Sequence, residues 1–182
     1  MKSQYMKPKT QFFISTRANG FSLIELMVSI AIIGILLAVG ATSFKNYVTN
    51  EDVRTIAHQF QSSLLLARSE AVKRSTNTYL TPSSNGYKEG WIVSTMQGRA
   101  YNSCLSPTPP TDCIYVFQND RPITLAGISG QIEYNRQGRI PLGTSFSIEI
   151  CDSENSEFIS KRTVDVNSNG FPKIQVEGDC GP

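Results

Sequence analysis

The chain has 182 residues, of which 40% are hydrophobic and 18% are charged. These proportions exclude a disordered chain, and the length suits one domain of ordinary size. Seventeen basic and fifteen acidic residues give a net charge of +2. On global charge this excludes a strongly basic nucleic-acid-binding domain.

The first 44 residues consist of a basic segment followed by an apolar one. Residues 1–20 contain four basic residues and no acidic residue, and residues 21–44 contain one charged residue, Glu25. A helix over residues 21–44 would be about 36 Å long, which is enough to cross the hydrocarbon core of a bilayer. The basic flank predicts that the N-terminus stays in the cytoplasm and that the rest of the chain lies across the membrane.

Three interpretations of this segment are open. A secretory signal peptide would be cleaved after the apolar run, and the small residues of Ala38-Val39-Gly40 loosely fit such a site. An uncleaved single-span anchor is the second interpretation. The third, which we favour, rests on the order of residues from Gly20 to Glu25.

The segment Gly20-Phe21-Ser22-Leu23-Ile24-Glu25 resembles the class III signal of type IV pilins and pseudopilins. The resemblance implies that a prepilin peptidase cleaves after Gly20 on the cytoplasmic side and N-methylates the new N-terminal residue, Phe21. Residues 1–20 would then be a cleaved leader, and the apolar helix would stay on the mature chain. Thirteen basic and fifteen acidic residues would remain, a net charge of −2.

The charge of Glu25 supports this third interpretation. A carboxylate inside an apolar span costs about 2.5–3.5 kcal/mol on insertion scales, so such a residue usually has a function. Cleavage would create an amine at Phe21, and residues four apart lie on one face of a helix. That amine could neutralise Glu25 of its own chain or of a neighbouring subunit, which predicts an assembly role for Glu25.

The helix is predicted to continue beyond the apolar segment, from about residue 22 to residue 75. Downstream of the predicted span, apolar residues recur at spacings of three and four, which is the pattern of an amphipathic helix. The residues in this stripe are Val53, Ile56, Ala57, Phe60, Leu64, Ala67 and Ala71. Residues 45–75 are therefore predicted to be the amphipathic half of the same helix, packed on a globular domain.

Residues 76–182 are predicted to form a β-rich domain. Residues 145–150 alternate in polarity with a period of two, as a half-buried strand does, and shorter candidates occur at 78–81, 91–94, 114–117, 131–134, 164–166 and 174–176. Turn signals separate them at Asn85-Gly86, Gln137-Gly138 and Asn169-Gly170. The predicted fold class is α+β, one long N-terminal helix over antiparallel sheet.

The four cysteines all follow the predicted span, where an extracytoplasmic compartment would oxidise them. They allow three pairings. We favour Cys104–Cys113, which would close a proline-rich loop, and Cys151–Cys180, which would tie the C-terminus to a strand. Each bridge would contribute about 2–4 kcal/mol. The spacings do not resemble a zinc site, and no metal ligands are assigned.

Further segments resemble the FimT, FimU and GspH group of minor pilins and type II secretion minor pseudopilins. They are residues 67–74 at the end of the helix, Gly90-Trp91-Ile92-Val93, and residues 134–139. The resemblance implies the pilin fold, no enzyme activity, no cofactor, and a structural role in starting or capping a pilus. The implied partners are other pilins or pseudopilins, the prepilin peptidase and the inner-membrane assembly platform. The β-rich domain would be periplasmic and then part of the fibre.

Two alternatives to the pilus role stay open. One is the equivalent H pseudopilin of type II secretion. The other is a DNA receptor for transformation, because competence-associated members of the FimT group bind DNA through a Gly-Arg-x-Arg hairpin. The matching hairpin here, Gly170–Lys173, has Phe171 at its first arginine position. Arg136, Arg139 and Lys173, with Lys161 and Arg162, would form a DNA patch only if the turns at Gln137-Gly138 and Asn169-Gly170 lie side by side. DNA is the less favoured partner.

Two local motifs are interpreted as structural. Residues 165–170 fit the first half of a calcium-binding EF-hand loop, but the twelfth position is Val176 and not glutamate. Asn169-Gly170 is therefore read as a type I′ hairpin turn. His58, the single histidine, has no nucleophile motif near it and is interpreted as a helix-surface or packing residue.

Overall fold

The structure is a computed structural model that describes residues 20–141, 145–154 and 157–181; for residues 38–43 it describes the backbone alone. Residues 1–19, nearly all of the predicted leader, lie outside the described residues. The chain divides into two compact units, residues 1–41 and 42–182. The described part of the first unit is helical from Leu23 onward.

Helix α1 comprises Leu23–Arg74, which confirms the long helix predicted from the sequence. At its C-terminal end the amide of Ser75 donates to the carbonyl of Val72, and the amide of Thr76 donates to the carbonyl of Ala71. These two bonds form a Schellman motif, which needs a left-handed residue after the last helical one. Ser75 supplies that residue, with a φ of 51°.

The predicted apolar stripe of α1 is the helical side of the hydrophobic core. Every residue in it is at most 2% exposed: Val53, Ile56, Ala57, Phe60, Leu64, Ala67 and Ala71. Phe60 packs edge-on against Tyr87 and Trp91, with ring centroids 5.4 and 5.1 Å apart. The indole of Trp91 also packs on Phe117, at 4.3 Å. Phe60 of the stripe therefore belongs to an aromatic cluster with Tyr87, Trp91 and Phe117.

Besides α1, the described part of the second unit contains two antiparallel four-stranded sheets and one short helix. The strand orders of the sheets are β3-β2-β1-β5 and β4-β6-β7-β8. The strands are β1 Thr78–Ser83, β2 Gly86–Ser94, β3 Cys113–Gln118, β4 Ile123–Ala126, β5 Ile132–Tyr134, β6 Phe146–Asp152, β7 Ser160–Val166 and β8 Pro172–Asp179, and the short helix α2 is Tyr101–Cys104. The α+β class is confirmed, although the sequence did not predict β4 or α2.

Two disulfides cross-link the second unit, in the pairs that the sequence analysis favoured. Cys104 at the end of α2 is bonded to Cys113 at the start of β3, across the proline-rich loop. Cys151 in β6 is bonded to Cys180, which directly follows β8. The second bond ties the C-terminal edge of the β4-β6-β7-β8 sheet to a central strand.

The turn between β7 and β8 differs from the predicted type I′ turn. A type I′ turn needs a positive φ at both central residues. Ser75 is the one non-glycine residue with a positive φ in the described part of the chain, so Asn169 does not meet this requirement. Instead, the amide of Gly170 bonds the carbonyl of Asn167 at 2.8 Å, and Gly170 has a φ of 78°. This is a three-residue loop with glycine in the left-handed position.

Candidate functional site

The predicted processing motif lies in the first unit, at the start of α1. The amide of Leu26 donates to the carbonyl of Ser22 at 3.1 Å, so helical hydrogen bonding begins directly after Phe21. Phe21 is 79% exposed, and Glu25 lies in the first turn of the helix. The bond between Gly20 and Phe21 is therefore outside the helix.

The apolar side chains at the start of α1 are not covered by any of the residues that the structure describes. Each of the following is more than half exposed: Phe21, Leu23, Ile24, Leu26, Met27, Val28, Ile30, Ile32, Ile33, Ile35, Leu36 and Leu37. A contiguous apolar surface of this size marks a site that contacts other apolar matter. Among the described residues, none of the helices is both long and apolar enough to cross a membrane. The predicted span at 21–44 includes residues 38–43, whose side chains are not described.

Two turns of the second unit have the same hydrogen-bond pattern. In residues 135–139, the Asn135 side-chain oxygen accepts from the amides of residues 137 and 139. In residues 167–171, the Asn167 side-chain oxygen accepts from the amides of residues 169 and 171. Each turn has a glycine in the left-handed conformation at its fourth position. We refer to them as the paired turns.

The paired turns lie in direct contact. A Cβ atom added to Gly170 would be 2.6 Å from the carbonyl oxygen of Gly138 and 2.8 Å from Cε1 of Tyr134. The Tyr134 hydroxyl donates to the carbonyl of Gly170 at 3.2 Å. No side chain larger than hydrogen fits at Gly170, because both the φ of 78° and the lack of space exclude it.

Arg68 of α1 joins both turns to the helix. Its Nε donates to the carbonyl of Gly138 at 2.9 Å, and its guanidinium carbon lies 3.8 Å from the centre of the Phe171 ring. Gln61, two turns earlier on α1, donates to the carbonyl of Pro172 at 3.2 Å. The orientation of the paired turns therefore depends on polar side chains of the helix as well as on the core.

The candidate DNA contacts are exposed and lie on or beside the paired turns. Arg136 and Arg139 belong to the first turn, and Lys173 follows the second. The structure thus brings the two turns together, which the patch required. Phe171, at the first cation position of the hairpin, is instead stacked under Arg68. Binding of DNA by these residues stays a prediction.

Asp165, the first residue of the calcium-like segment, is engaged within the sheet. Its carboxylate accepts hydrogen bonds from Ser147 and Gln175. These bonds, with the positive charge of the neighbouring Lys173, hold the pKa of Asp165 below its usual range, although desolvation opposes them. The carboxylate is therefore used to join β6, β7 and β8.

Tyr134 predicts how stability depends on alkaline pH. Burial raises the pKa of its hydroxyl well above its usual range, although the nearby charge of Arg68 opposes the shift. Burial likewise raises the pKa of Tyr87. Above about pH 10 the unfolded chain ionises these groups while the folded chain keeps them neutral, so stability is lost as pH rises. Each such group lowers the free energy of unfolding by up to about 1.4 kcal/mol for each pH unit above pH 10.

This dependence can be measured by urea unfolding at pH 7, 9, 10 and 11. We expect Tyr134→Phe to make the fall in the free energy of unfolding shallower above pH 10, while its curve stays parallel to that of the unchanged chain between pH 7 and 9. Equal slopes for the two chains above pH 10 would contradict the assignment.

Sequence reasoning missed the roles of Arg68 and Phe171. A basic residue on the polar face of an amphipathic helix normally contacts solvent, so periodicity does not reveal a partner 70 residues away. The resemblance of residues 67–74 to the pilin group was the one signal that marked this part of the helix. His58, which the sequence analysis interpreted as a helix-surface or packing residue, is exposed on α1. Trp91 and Tyr134 are fully buried.

Two family models match the sequence. The model described as "Type II transport protein GspH" matches residues 57–170, which is more than half of the chain. The chain belongs to the GspH family. The "Prokaryotic N-terminal methylation motif" matches residues 15–41, which include Gly20, Phe21 and Glu25. Together the two matches show that the chain is a member of the type IV minor pilin and pseudopilin group.

A solved structure of this group shares the fold. The type IV minor pilin FimU of Pseudomonas aeruginosa matches with a TM-score of 0.55 and 15% identity, over 72% of this chain and 92% of FimU. The minor pseudopilin EpsH of the Vibrio cholerae type 2 secretion system matches with a TM-score of 0.47 and 12% identity, over 69% of this chain and 96% of EpsH. No curated protein matches this GspH-family chain in sequence.

Proposed function

We propose that this GspH-family chain is a minor pilin that helps to start or cap a type IV pilus. The observation that carries the proposal is the motif from Gly20 to Glu25 at the start of a helix whose apolar side chains are uncovered. Cleavage after Gly20 and methylation of Phe21 would produce a subunit whose N-terminal helix packs with those of other pilins. No residue has a catalytic role in this function, and no cofactor takes part.

In the proposed cycle, residues 21–44 first cross the inner membrane once, with the N-terminus in the cytoplasm and residues 76–182 in the periplasm. The positive charges of residues 1–20 set this orientation. The same apolar surface would later contact neighbouring helices in the fibre. Both environments exclude water, which explains how the exposed side chains are covered in each state.

Glu25 would guide the subunit into the fibre. A carboxylate in an apolar environment is costly unless a positive charge neutralises it. The N-terminal amine made by cleavage at Phe21 is such a charge, and a growing fibre places the amine of one helix beside the carboxylate of another. The prepilin peptidase and the inner-membrane assembly platform are the further partners that this cycle requires.

The alternative within the same family is the H pseudopilin of type II secretion. It would use the same motif, helix and β-rich domain, and it would differ in the fibre that the subunit joins. Whether pilus genes or secretion genes flank the coding sequence would separate the two. The DNA-receptor alternative rests on Arg136, Arg139 and Lys173, and it has less support because the hairpin keeps one cation, Lys173.

The proposal is tested by mass spectrometry of the mature N-terminus, in a bacterium with a prepilin peptidase. We expect a chain that begins at a methylated Phe21. Gly20→Val should leave residues 1–20 attached, because the peptidase cleaves after glycine. Gly34→Ala is a matched control that should be processed normally, since an added Cβ there meets nothing within 4 Å. An intact Met1 or a start near residue 41 in the unchanged chain would refute the proposal.

A further inference from the structure

Three aromatic side chains are the most exposed of the large apolar side chains in the described part of the second unit. They are Phe158, which is 74% exposed, Phe44, which is 68% exposed, and Tyr47, which is 64% exposed. Phe44 and Tyr47 are three residues apart on α1, so they lie on one side of the helix. We call the three residues the aromatic group.

Hydrogen bonds to Asn50 fasten Phe158 to the same stretch of α1. The side-chain nitrogen of Asn50 donates to the carbonyl of Phe158 at 3.2 Å, and its side-chain oxygen accepts from the amide of Ser160 at 2.9 Å. Lys45 pairs with Glu154 at 3.6 Å, which adds a second contact between the two segments. Asn50 lies within two turns of the other two members of the aromatic group. All three members are therefore at the end of the second unit where its part of α1 begins.

The aromatic group adjoins the membrane span that the sequence predicts. That span ends at Phe44, and Tyr47 and Asn50 lie about 4.5 and 9 Å farther along the helix. On each side of a bilayer the headgroup layer adds about 5–8 Å to the hydrocarbon core. When residues 21–44 cross the bilayer, Tyr47 is therefore at the level of the headgroups. The backbone of Phe158, which is bonded to Asn50, is then at their outer boundary.

The charges around the aromatic group would repel an anionic surface. Glu157 and Asp179 line one surface pocket with Phe158, and both are exposed and belong to no ion pair among the described residues. Four basic residues of this end are paired with acidic ones: Lys45 with Glu154, Arg54 with Glu51, Arg121 with Asp52, and Lys161 with Glu149. Lys88 lines a different pocket, together with Asp120. The unpaired charges beside Phe158 are therefore negative.

We propose that the aromatic group, with Phe158 held by Asn50, docks the second unit on the zwitterionic headgroup layer of the bilayer that residues 21–44 cross. Aromatic rings are favoured at this level, because their apolar part leaves water without entering the hydrocarbon core. Lipid is the occupant because the aromatic group begins at the last residue of the predicted span, and a zwitterionic lipid because the carboxylates beside Phe158 disfavour an anionic one. The contact holds the second unit against the membrane until the helix leaves for the fibre. The inference rests on the proposed function, which supplies the membrane span.

Tryptophan fluorescence of the full chain in vesicles tests the docking. Phe158→Trp keeps an aromatic ring at the site, and Trp91, which is fully buried, gives a constant background. The vesicles contain phosphatidylcholine and phosphatidylethanolamine, and part of the lipid carries bromine, a contact quencher of tryptophan, on the acyl chain close to the ester. We expect the added emission to fall by about half, and to fall less when the bromine is at the end of the acyl chain.

Phe171→Trp is the matched control for the position of the ring. Phe171 is also exposed, but it contacts Arg68, which is 18 residues beyond Asn50 and so about 27 Å farther along α1. Its added emission should be the same with and without bromine. Raising the salt concentration should leave the quenching of Phe158→Trp unchanged, because the contact depends on aromatic rings. Replacing phosphatidylethanolamine with anionic phosphatidylglycerol should reduce it.

Asn50→Ala then tests what holds the ring at this level. The substitution removes both hydrogen bonds to residues 158 and 160, so the quenching of Phe158→Trp should fall about twofold. Thr55→Ala, at an exposed position five residues farther along α1, is the control and should leave the quenching unchanged. An unchanged emission of Trp91 in Asn50→Ala alone would show that the second unit stays folded.

Three outcomes would overturn the docking. The first is equal quenching of Phe158→Trp and Phe171→Trp, or quenching of neither. The second is quenching of Phe158→Trp on phosphatidylglycerol alone that is lost as salt is raised, which would assign this end to electrostatic binding. The third is full quenching after Asn50→Ala, which would show that α1 does not hold the ring. A methylated Phe21 on a chain that stays in the vesicles after alkaline washing would show that the proposed function stands although the docking fails.

Discussion

Replacing Phe60 with alanine is expected to lower the free energy of unfolding of the second unit by about 3–5 kcal/mol. Phe60 is fully buried, and its ring packs edge-on against Tyr87 and Trp91. Alanine would remove those contacts and leave a cavity between α1 and the sheets. Trp91 is the single tryptophan and is fully buried, so its fluorescence reports on unfolding. Urea unfolding of the full chain in detergent, followed by its fluorescence, measures the loss.

Leu65→Ala is the matched control for this substitution. Leu65 lies on the same helix but is 43% exposed, so its truncation should change the free energy of unfolding by less than about 1 kcal/mol. A loss in Phe60→Ala no larger than that in Leu65→Ala would contradict the packing of α1 on the sheets.

Removing the Cys151–Cys180 disulfide is expected to cost about 3.6 kcal/mol. The bonded residues are 29 positions apart, and the chain-entropy description relates the stabilisation to the length of the closed loop. Double replacement by alanine tests this, because each half-cystine is only 8% exposed and alanine leaves no polar group buried. Urea unfolding without reductant, again followed by Trp91 fluorescence, gives the difference.

The other disulfide is the control for this effect. Cys104 and Cys113 are nine positions apart, so the same relation gives about 2.7 kcal/mol for their double replacement by alanine. The expected order is therefore a larger loss for the longer loop. If the shorter loop cost more, the stabilisation would have to come from local packing around the bond and not from the unfolded chain.

The helix and most strands could be predicted because their signals are local. The stripe from Val53 to Ala71 repeats at the helical period, and each of its residues is buried as expected. The alternation in residues 145–150 marks β6 in the same way. Strand β4 was not predicted; it has four residues and is held by pairing with β6. Short strands of this kind depend on their neighbour in the sheet.

The turns show that local sequence signals locate a turn but do not determine its conformation. Asn169-Gly170 was recognised as a turn, but the type I′ conformation was wrong because the side chain of Asn167 accepts hydrogen bonds across a longer loop. Residues 135–139 repeat this pattern with a different sequence. A dipeptide signal locates a turn, and the residues around it decide its type.

The sequence by itself determined the processing motif, the long helix with its apolar and amphipathic halves, and the membership of the GspH family. Each of these features depends on residues at fixed spacings along the chain, so it can be recognised from the sequence without a structure. The tertiary structure alone decided that the paired turns touch and that Arg68 joins them. The turns that touch are about 30 positions apart in the sequence, and Arg68 is about 70–100 positions from Gly138 and Phe171. Such contacts form only when the hydrophobic core packs the sheets against the helix. They produce no periodic pattern in the sequence.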